Sequence, residues 1–339
     1  VFVIAVPTPF TGGYKPDLSD VEAATRAIAP ALREGNLVMV ESTIPVGATE
    51  QVARCIETLR HDLKCAQRNG SEEPDIFVAH CPERVLPGQM LKELVENDRV
   101  IGGVCPASAE AGRNFYESFV TGKCLATDSR TAELCKLTEN SFRDVNIAFA
   151  NELADVCEDF DINVWELIDL ANHHPRVNVL KPGPGVGGHC IAVDPWFIVS
   201  ALGERARLIR EARWINSGRP RQVVRKVLAQ VASGSVRTIG CFGLSYKANI
   251  EDLRESPAAE IVEYLAHELH MIGSDVELRV IEPHITELPQ SLEHGNRVQL
   301  VDIDRGLDSD LLVMLVDHDA FQAIPPSHIK GKNLIDTRG

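Results

Sequence analysis

Two glycines, a histidine and a thiol follow one another at Gly187-Gly188-His189-Cys190, and a carboxylate stands four residues beyond the thiol at Asp194. A cysteine thiolate attacks carbonyl carbon, glycines let a ligand's reacting carbon approach the backbone, and a nearby carboxylate can order or deprotonate water. Two readings fit this stretch on its own: a covalent site, or a glycine turn beside a small buried cysteine. Lys136 and Asn140 are four apart and share one face of a helix, so an ammonium and an amide can converge on one oxygen. The alternative is a solvated lysine with a polar neighbour. Glu83-Arg84 likewise reads as readily as solvated surface charge. The pattern G-x-G-x-x-G occurs at Gly183, Gly185 and Gly188, but Pro182 and Pro184 interrupt it and no helix is predicted after it. A dinucleotide phosphate turn works only between a strand and a helix N-terminus, so that role is rejected, and no earlier segment supplies the turn.

The elements that must position these groups alternate. Val1 to Val6 is apolar on both faces, as in a buried parallel strand; a capping box at Ser19-Asp20-Val21-Glu22 opens a helix to about Leu32. Strand Leu37 to Val40, a helix from about Gly47 to Leu63, and strands at Ile76 to Ala79 and Val100 to Val104 follow, which implies a parallel, doubly wound α/β sheet. A helix from Thr131 to Phe160 has no glycine or proline and is long enough for a connector or a dimer spine; a second spans Val164 to Ala171. After Pro220 the alternation restarts, with helices Arg221 to Ala232 and Pro257 to Leu269 and strands Arg237 to Phe242, Leu278 to Ile281, Leu311 to Val316 and Asn333 to Ile335. The expected architecture is two doubly wound Rossmann-like domains joined by a long central helix, divided at 1–126, 127–218 and 219–339. The first is read as N-terminally truncated, because its phosphate-binding turn belongs on a strand before Val1.

Composition narrows the function. The 339 residues carry 34 Lys and Arg against 49 Asp and Glu, and a net charge of -15 leaves no electrostatic footprint for nucleic acid or an anionic membrane. No run of 18 apolar residues occurs, and the apolar opening is too short and lacks the basic flank of a signal peptide, so the chain is read as cytoplasmic. Nine cysteines without C-x-x-C spacing give neither a disulfide framework nor a metal site.

Taken together, seven segments resemble the UDP-glucose/GDP-mannose dehydrogenase family along essentially the whole chain. Gly187 to Pro195 is similar to its catalytic segment, in which the cysteine is the nucleophile. Val6-Pro7-Thr8-Pro9 and Glu41-Ser42-Thr43-Ile44-Pro45-Val46-Gly47 resemble its cofactor loops, which implies that Pro7, Thr8 and Thr43 border NAD and that Thr43 borders a catalytic water. Pro82-Glu83-Arg84-Val85-Leu86-Pro87-Gly88 resembles the segment whose glutamate assists proton transfer or hydrolysis. The segment beginning at Lys136 and Asn140 implies an oxyanion region. Gly243-Leu244-Ser245-Tyr246-Lys247 with Asp252 to Pro257, and Asp336-Thr337-Arg338, imply that Lys247 and Arg338 meet the UDP-sugar and Arg254 the cofactor pyrophosphate. Glu83, Arg84, Lys136, Asn140, Arg176 and Gly187 complete the substrate contacts expected from the resemblance.

Val193 and Pro87 depart from the glucose and mannose members, and Ala192 to Ile198 is most similar to the branch acting on UDP-N-acetylhexosamines, the N-acetyl-D-mannosamine form above all. The implied reaction is a two-step, NAD-dependent oxidation of a sugar C6 alcohol to a carboxylate through a Cys190 thiohemiacetal and thioester. In it Lys136 and Asn140 stabilise the oxyanion, and Asp194, Thr43 and Glu83 share the hydrolytic water. His189 is assigned to shape rather than base. UDP-N-acetylglucosamine or UDP-glucose stands as an alternative substrate. Two other classes stay open: a cysteine hydrolase on Cys190 needing no NAD, and a sugar-nucleotide-binding chain without turnover. The expected partners are a UDP-sugar and a second copy of the chain, with neither nucleic acid nor membrane.

Overall fold

The computed structural model describes residues 1–65, 74–85, 90–188, 190–292 and 297–339. The chain divides into two compact units, Val1–Ser141 with Val193–Ala206, and Phe142–Ala192 with Arg207–Gly339.

The first unit contains β1 (Phe2–Ile4), a hairpin of β2 (Phe10–Thr11) and β3 (Lys15–Pro16), α1 (Ser19–Ile28), β4 (Asn36–Val40), α2 (Ala48–Leu59), β5 (Ile76–His80), α3 (Met90–Glu96), β6 (Arg99–Gly103), α4 (Pro106–Glu117), β7 (Cys124–Asp128) and the start of α5 (Ser129–Asp159). Its sheet order is β1-β4-β5-β6-β7. Leu37 to Val40 and Ile76 to Ala79 are apolar on both faces because helices cover both, and Val38, Met39, Val40, Val78 and Ala79 are wholly buried. The sheet is not parallel throughout: β5 pairs antiparallel with β6, through Ala79 with Gly103 and His80 with Gly102. β1 stands at one end of the described sheet order, with Ile4 buried and Val3 about half exposed. The α1 cap also shifts: Leu18 is the N-cap with no side-chain bond, and Asp17 Oδ1 accepts from the Ser19 N–H at 2.9 Å.

The second unit holds the rest of α5, then α6 (Val164–Asn172), the glycine-proline loop, α8 (Arg207–Ala232), β8 (Thr238–Phe242), α9 (Pro257–Met271), β9 (Glu277–Ile281), β10 (Val298–Leu300), α10 (Ile303–Leu307), β11 (Leu311–Met314), α11 (Asp319–Gln322), α12 (Pro326–Ile329) and β12 (Asn333–Asp336); α7 (Asp194–Leu202) belongs to the first unit. Its five strands are parallel in the order β10-β9-β8-β11-β12. The order reverses between β8 and β11, the switch point at which α/β sheets open a crevice for ligands. The helix expected from Arg221 instead starts at Arg207 and runs through Pro220. Proline costs one backbone bond, and burial of Ala212, Arg213, Asn216, Val223, Val224 and Val227 along the same helix offsets it.

Candidate active site

In the first unit, α5 is a rail on which three loops are mounted. Glu133, Lys136 and Asn140 recur at helical spacing and lie on one face. Asn140 is buried, and its Nδ2 donates to Asp194 Oδ2 at 2.5 Å, where Asp194 opens α7. Burial pushes the Asp194 carboxyl up to about 6, against the opposing pull of the Asn140 bond and the Lys136 charge. Among the described residues no carboxylate lies within ion-pair distance of Lys136, so its ammonium keeps its donors for an oxygen from elsewhere. The same cation stands near His80, whose burial drives its pKa down to about 4 and keeps the ring neutral.

The other loops leave the carboxyl ends of β1, β4 and β5. Val6 N–H donates to Ser42 Oγ at 2.8 Å, and Thr8 Oγ1 donates to the Thr43 carbonyl at 2.6 Å, so the two expected cofactor loops brace each other. Thr43's own hydroxyl has no protein partner among the described residues, and Pro7 is exposed. Glu83 Oε1 accepts from the amides of Arg84 and Val85 at 2.5 and 2.8 Å and lies 3.7 Å from Nη1 of the buried Arg99. Arg84 grips Glu139 on α5 with Nη2 and Nε at 2.7 and 3.2 Å, which fastens the Glu83 loop to the rail. Leu86, Pro87 and Gly88 lie outside the described residues, as does His189.

In the second unit, Cys190 is partly exposed and within electrostatic reach of Tyr246 and Arg254. The glycines before it are closely packed. A Cβ on Gly187 would stand 2.5 Å from the Glu255 carbonyl, and one on Gly188, whose φ is +80°, would stand 2.9 Å from the Tyr246 ring. Lys247 is exposed on the loop after β8, and Arg338, after β12, is paired with Asp317 at 2.6 Å, so both flank the switch point. Arg254 is exposed and holds Asp252 through two nitrogens. Arg176 is exposed, and among the described residues its side chain makes no ion pair.

Several groups escaped sequence reasoning. The polar stripe Glu133, Asn140, Asp144 and Asn151 is buried at helical spacing, and that periodicity was the available signal. Tyr116, which donates to Glu41, and Arg99, which stacks on Tyr116 and faces Glu83, had none. Among the described residues one trio, Glu282, His284 and His318, has ligand-type atoms at metal-binding separation. The Asn249 amide donates to His318 Nδ1 at 2.9 Å, so Nε2 carries the proton and donates to Glu282 at 3.1 Å, which denies that nitrogen to an ion.

Each unit thus has a sheet with loops at its strand carboxyl ends, the arrangement of an α/β nucleotide-binding fold. Family models match accordingly: the NAD-binding domain of the UDP-glucose/GDP-mannose dehydrogenase family over residues 1–120, its central domain over 130–218 and its UDP-binding domain over 240–339. The chain belongs to this family; it is an oxidoreductase that uses NAD to oxidise a UDP-sugar. It is 55% identical over 339 residues to an NDP-N-acetyl-D-galactosaminuronic acid dehydrogenase of Ralstonia nicotianae, covering 100% of this chain and 78% of that protein. It is 53% identical over 347 residues to a UDP-N-acetyl-D-mannosamine dehydrogenase of Salmonella typhi, covering 100% and 81%. A UDP-D-ManNAc dehydrogenase structure from Pyrococcus horikoshii superposes with a TM-score of 0.85 at 38% identity, covering 100% of this chain and 77% of that one. The braced Thr8 and Thr43 loops at the carboxyl ends of β1 and β4, with the Thr43 hydroxyl uncommitted, fit NAD on the first unit. No helix among the described residues is long and apolar enough to cross a membrane.

Proposed function

We propose that the chain oxidises the C6 alcohol of a UDP-N-acetylhexosamine, with N-acetyl-D-mannosamine as the sugar, to the uronate in two steps at Cys190. The observation that carries this reading is Asp194: a buried carboxylate with a pKa of about 6, bonded to Asn140, beside Lys136 and four residues from a thiol. A structural carboxylate gains nothing from sitting near neutrality, whereas a base that activates water does.

NAD, when bound, would accept the hydride lost from C6 at each oxidation, and the proton of the C6 hydroxyl passes to water in the first. Cys190 thiolate adds to the C6 aldehyde, forming the S–C bond of a thiohemiacetal, and loss of the second hydride leaves a thioester. Lys136 and Asn140 donate to the oxygen on C6 at each tetrahedral stage. Asp194, with Thr43 and Glu83, orders a water and takes its proton as the oxygen attacks the thioester carbon, so the thiolate leaves and the carboxylate is freed. Pro7, Thr8 and Thr43 hold the cofactor with Arg254 at its pyrophosphate, while Arg84, Arg176, Gly187, Lys247 and Arg338 hold the nucleotide sugar. Residues 1–126, 127–218 and 219–339 form the cofactor, central and UDP-sugar parts. The setting is cytoplasmic.

Cys190→Ser is expected to permit at most a slow first oxidation or to stall as an adduct, because an alkoxide is the poorer leaving group. NADH release and uronate formation with UDP-N-acetylmannosamine, UDP-N-acetylgalactosamine, UDP-N-acetylglucosamine and UDP-glucose measure both mutant and substrate. Uronate at the full rate from that variant overturns the mechanism. The similarity to a galactosaminuronic acid dehydrogenase favours the galacto sugar as the second reading.

A further inference from the structure

The carboxylate of Glu133 is wholly buried and meets the start of α2. Oε2 accepts from the Gly47 N–H at 2.5 Å, and Oε1 accepts from the Thr49 N–H at 2.7 Å and the Thr49 hydroxyl at 2.6 Å. Helix α2 makes no side-chain cap of its own: its N-cap is Gly47, in a left-handed conformation with φ +94°. Its open amides, with the positive end of the helix dipole, are therefore satisfied by an anion from α5. An anion already built into the protein means that this terminus is not a phosphate seat.

We infer that Glu133 is the positioning residue that sets Thr43 against the face of α5 carrying Lys136 and Asn140. Hydrogen bonds anchor the Thr43 loop at two ends, and between them Ile44 is buried in the core of the first unit. At one, Ser42 Oγ donates to the Val6 carbonyl at 2.7 Å and Thr8 holds the Thr43 carbonyl; at the other, Glu133 holds Gly47 and Thr49. The second anchor stands three residues before Lys136 and seven before Asn140, so it fixes the register between loop and helix face. A misplacement of about 1 Å at such a site costs roughly a hundredfold in rate. This inference rests on the function proposed above, in which Thr43 borders the hydrolytic water.

Glu133→Gln keeps the shape but turns one acceptor into a donor, so one of the two amides faces an N–H. Expected, in protein that stays folded, is a fall in uronate formation of about 10- to 100-fold that exceeds the loss in the first oxidation, so that intact-protein mass shows a sugar adduct accumulating on Cys190. Equal loss of both oxidation steps in proportion to unfolded protein marks a merely structural role and overturns the inference, as does wild-type turnover. Should the variant not melt cooperatively, hydrogen exchange in the wild-type chain decides. Protection of the Gly47 and Thr49 amides as strong as mid-α2 is expected, and fast exchange there overturns the clasp. A wild-type chain that makes no NADH from any UDP-N-acetylhexosamine defeats the proposed function instead, and leaves the clasp to the exchange measurement.

Discussion

Burial of the Asp194 carboxyl ties the stability of the fold to pH. Its folded pKa of about 6 lies above the ordinary 3.8, so between these values the folded state holds a proton that the unfolded chain releases. Stability from this group therefore falls as pH rises from about 4 to about 6 and stays lower above it. The difference corresponds to about 3 kcal/mol. Asp194→Asn keeps an acceptor for Asn140 and removes the buried charge. It is expected to raise the unfolding free energy at pH 7.5 by up to about 3 kcal/mol, with little gain at pH 4, while uronate formation drops about 100-fold or more. Thermal and urea melts at both pH values check the first part. The rate profile checks the second, since the wild type should lose activity as pH falls through about 6 and the variant should show no such limb. The residue types at this site were legible in the chain, because a thiol, a carboxylate, an ammonium and an amide advertise their chemistry by name and spacing. The raised pKa was not, because it comes from burial that the folded loops impose.

At the scale of elements, α5 and α8 are joined by a buried polar zipper. Arg213 Nη1 donates to Asp144 Oδ1 at 2.6 Å, Asn216 Nδ2 donates to the same oxygen at 2.8 Å, and Asn151 Nδ2 donates to Asn216 Oδ1 at 2.9 Å. Asn151 Oδ1 accepts from the Gly183 amide at 2.9 Å, so the zipper also holds the loop that leads to Cys190. Asp144→Ala strands the buried guanidinium of Arg213 and is expected to cost about 3–5 kcal/mol in a urea melt. The double change Asp144→Leu with Arg213→Met should recover most of it; no recovery would show that the pair is not what the site depends on. Both helices were readable in outline from apolar periodicity. The passage of α8 through Pro220 was not, since proline ends a helix locally and only packing on both sides of it keeps this one running.

At the scale of the molecule, one face of α5 is left uncovered by the described residues. Phe142, Phe149 and Val156 recur every seven residues and are 66%, 53% and 45% exposed. A heptad-spaced apolar stripe on a long helix is built to meet another helix, and we propose a second copy of the chain. Phe142→Glu with Phe149→Glu is expected to give monomers by light scattering, and an unchanged mass would remove this face from consideration. The order of elements and the α/β alternation were readable from local pattern, because periodicity is a property of consecutive residues. Tertiary structure alone decided the antiparallel turn of β6, the close packing of Gly187 and Gly188 against Pro257 and Tyr246, and the anchoring of Glu133 on α2. Each of these depends on which distant backbone amide, ring or carboxylate arrives beside a residue, and a linear chain carries no mark of that arrival until it has folded.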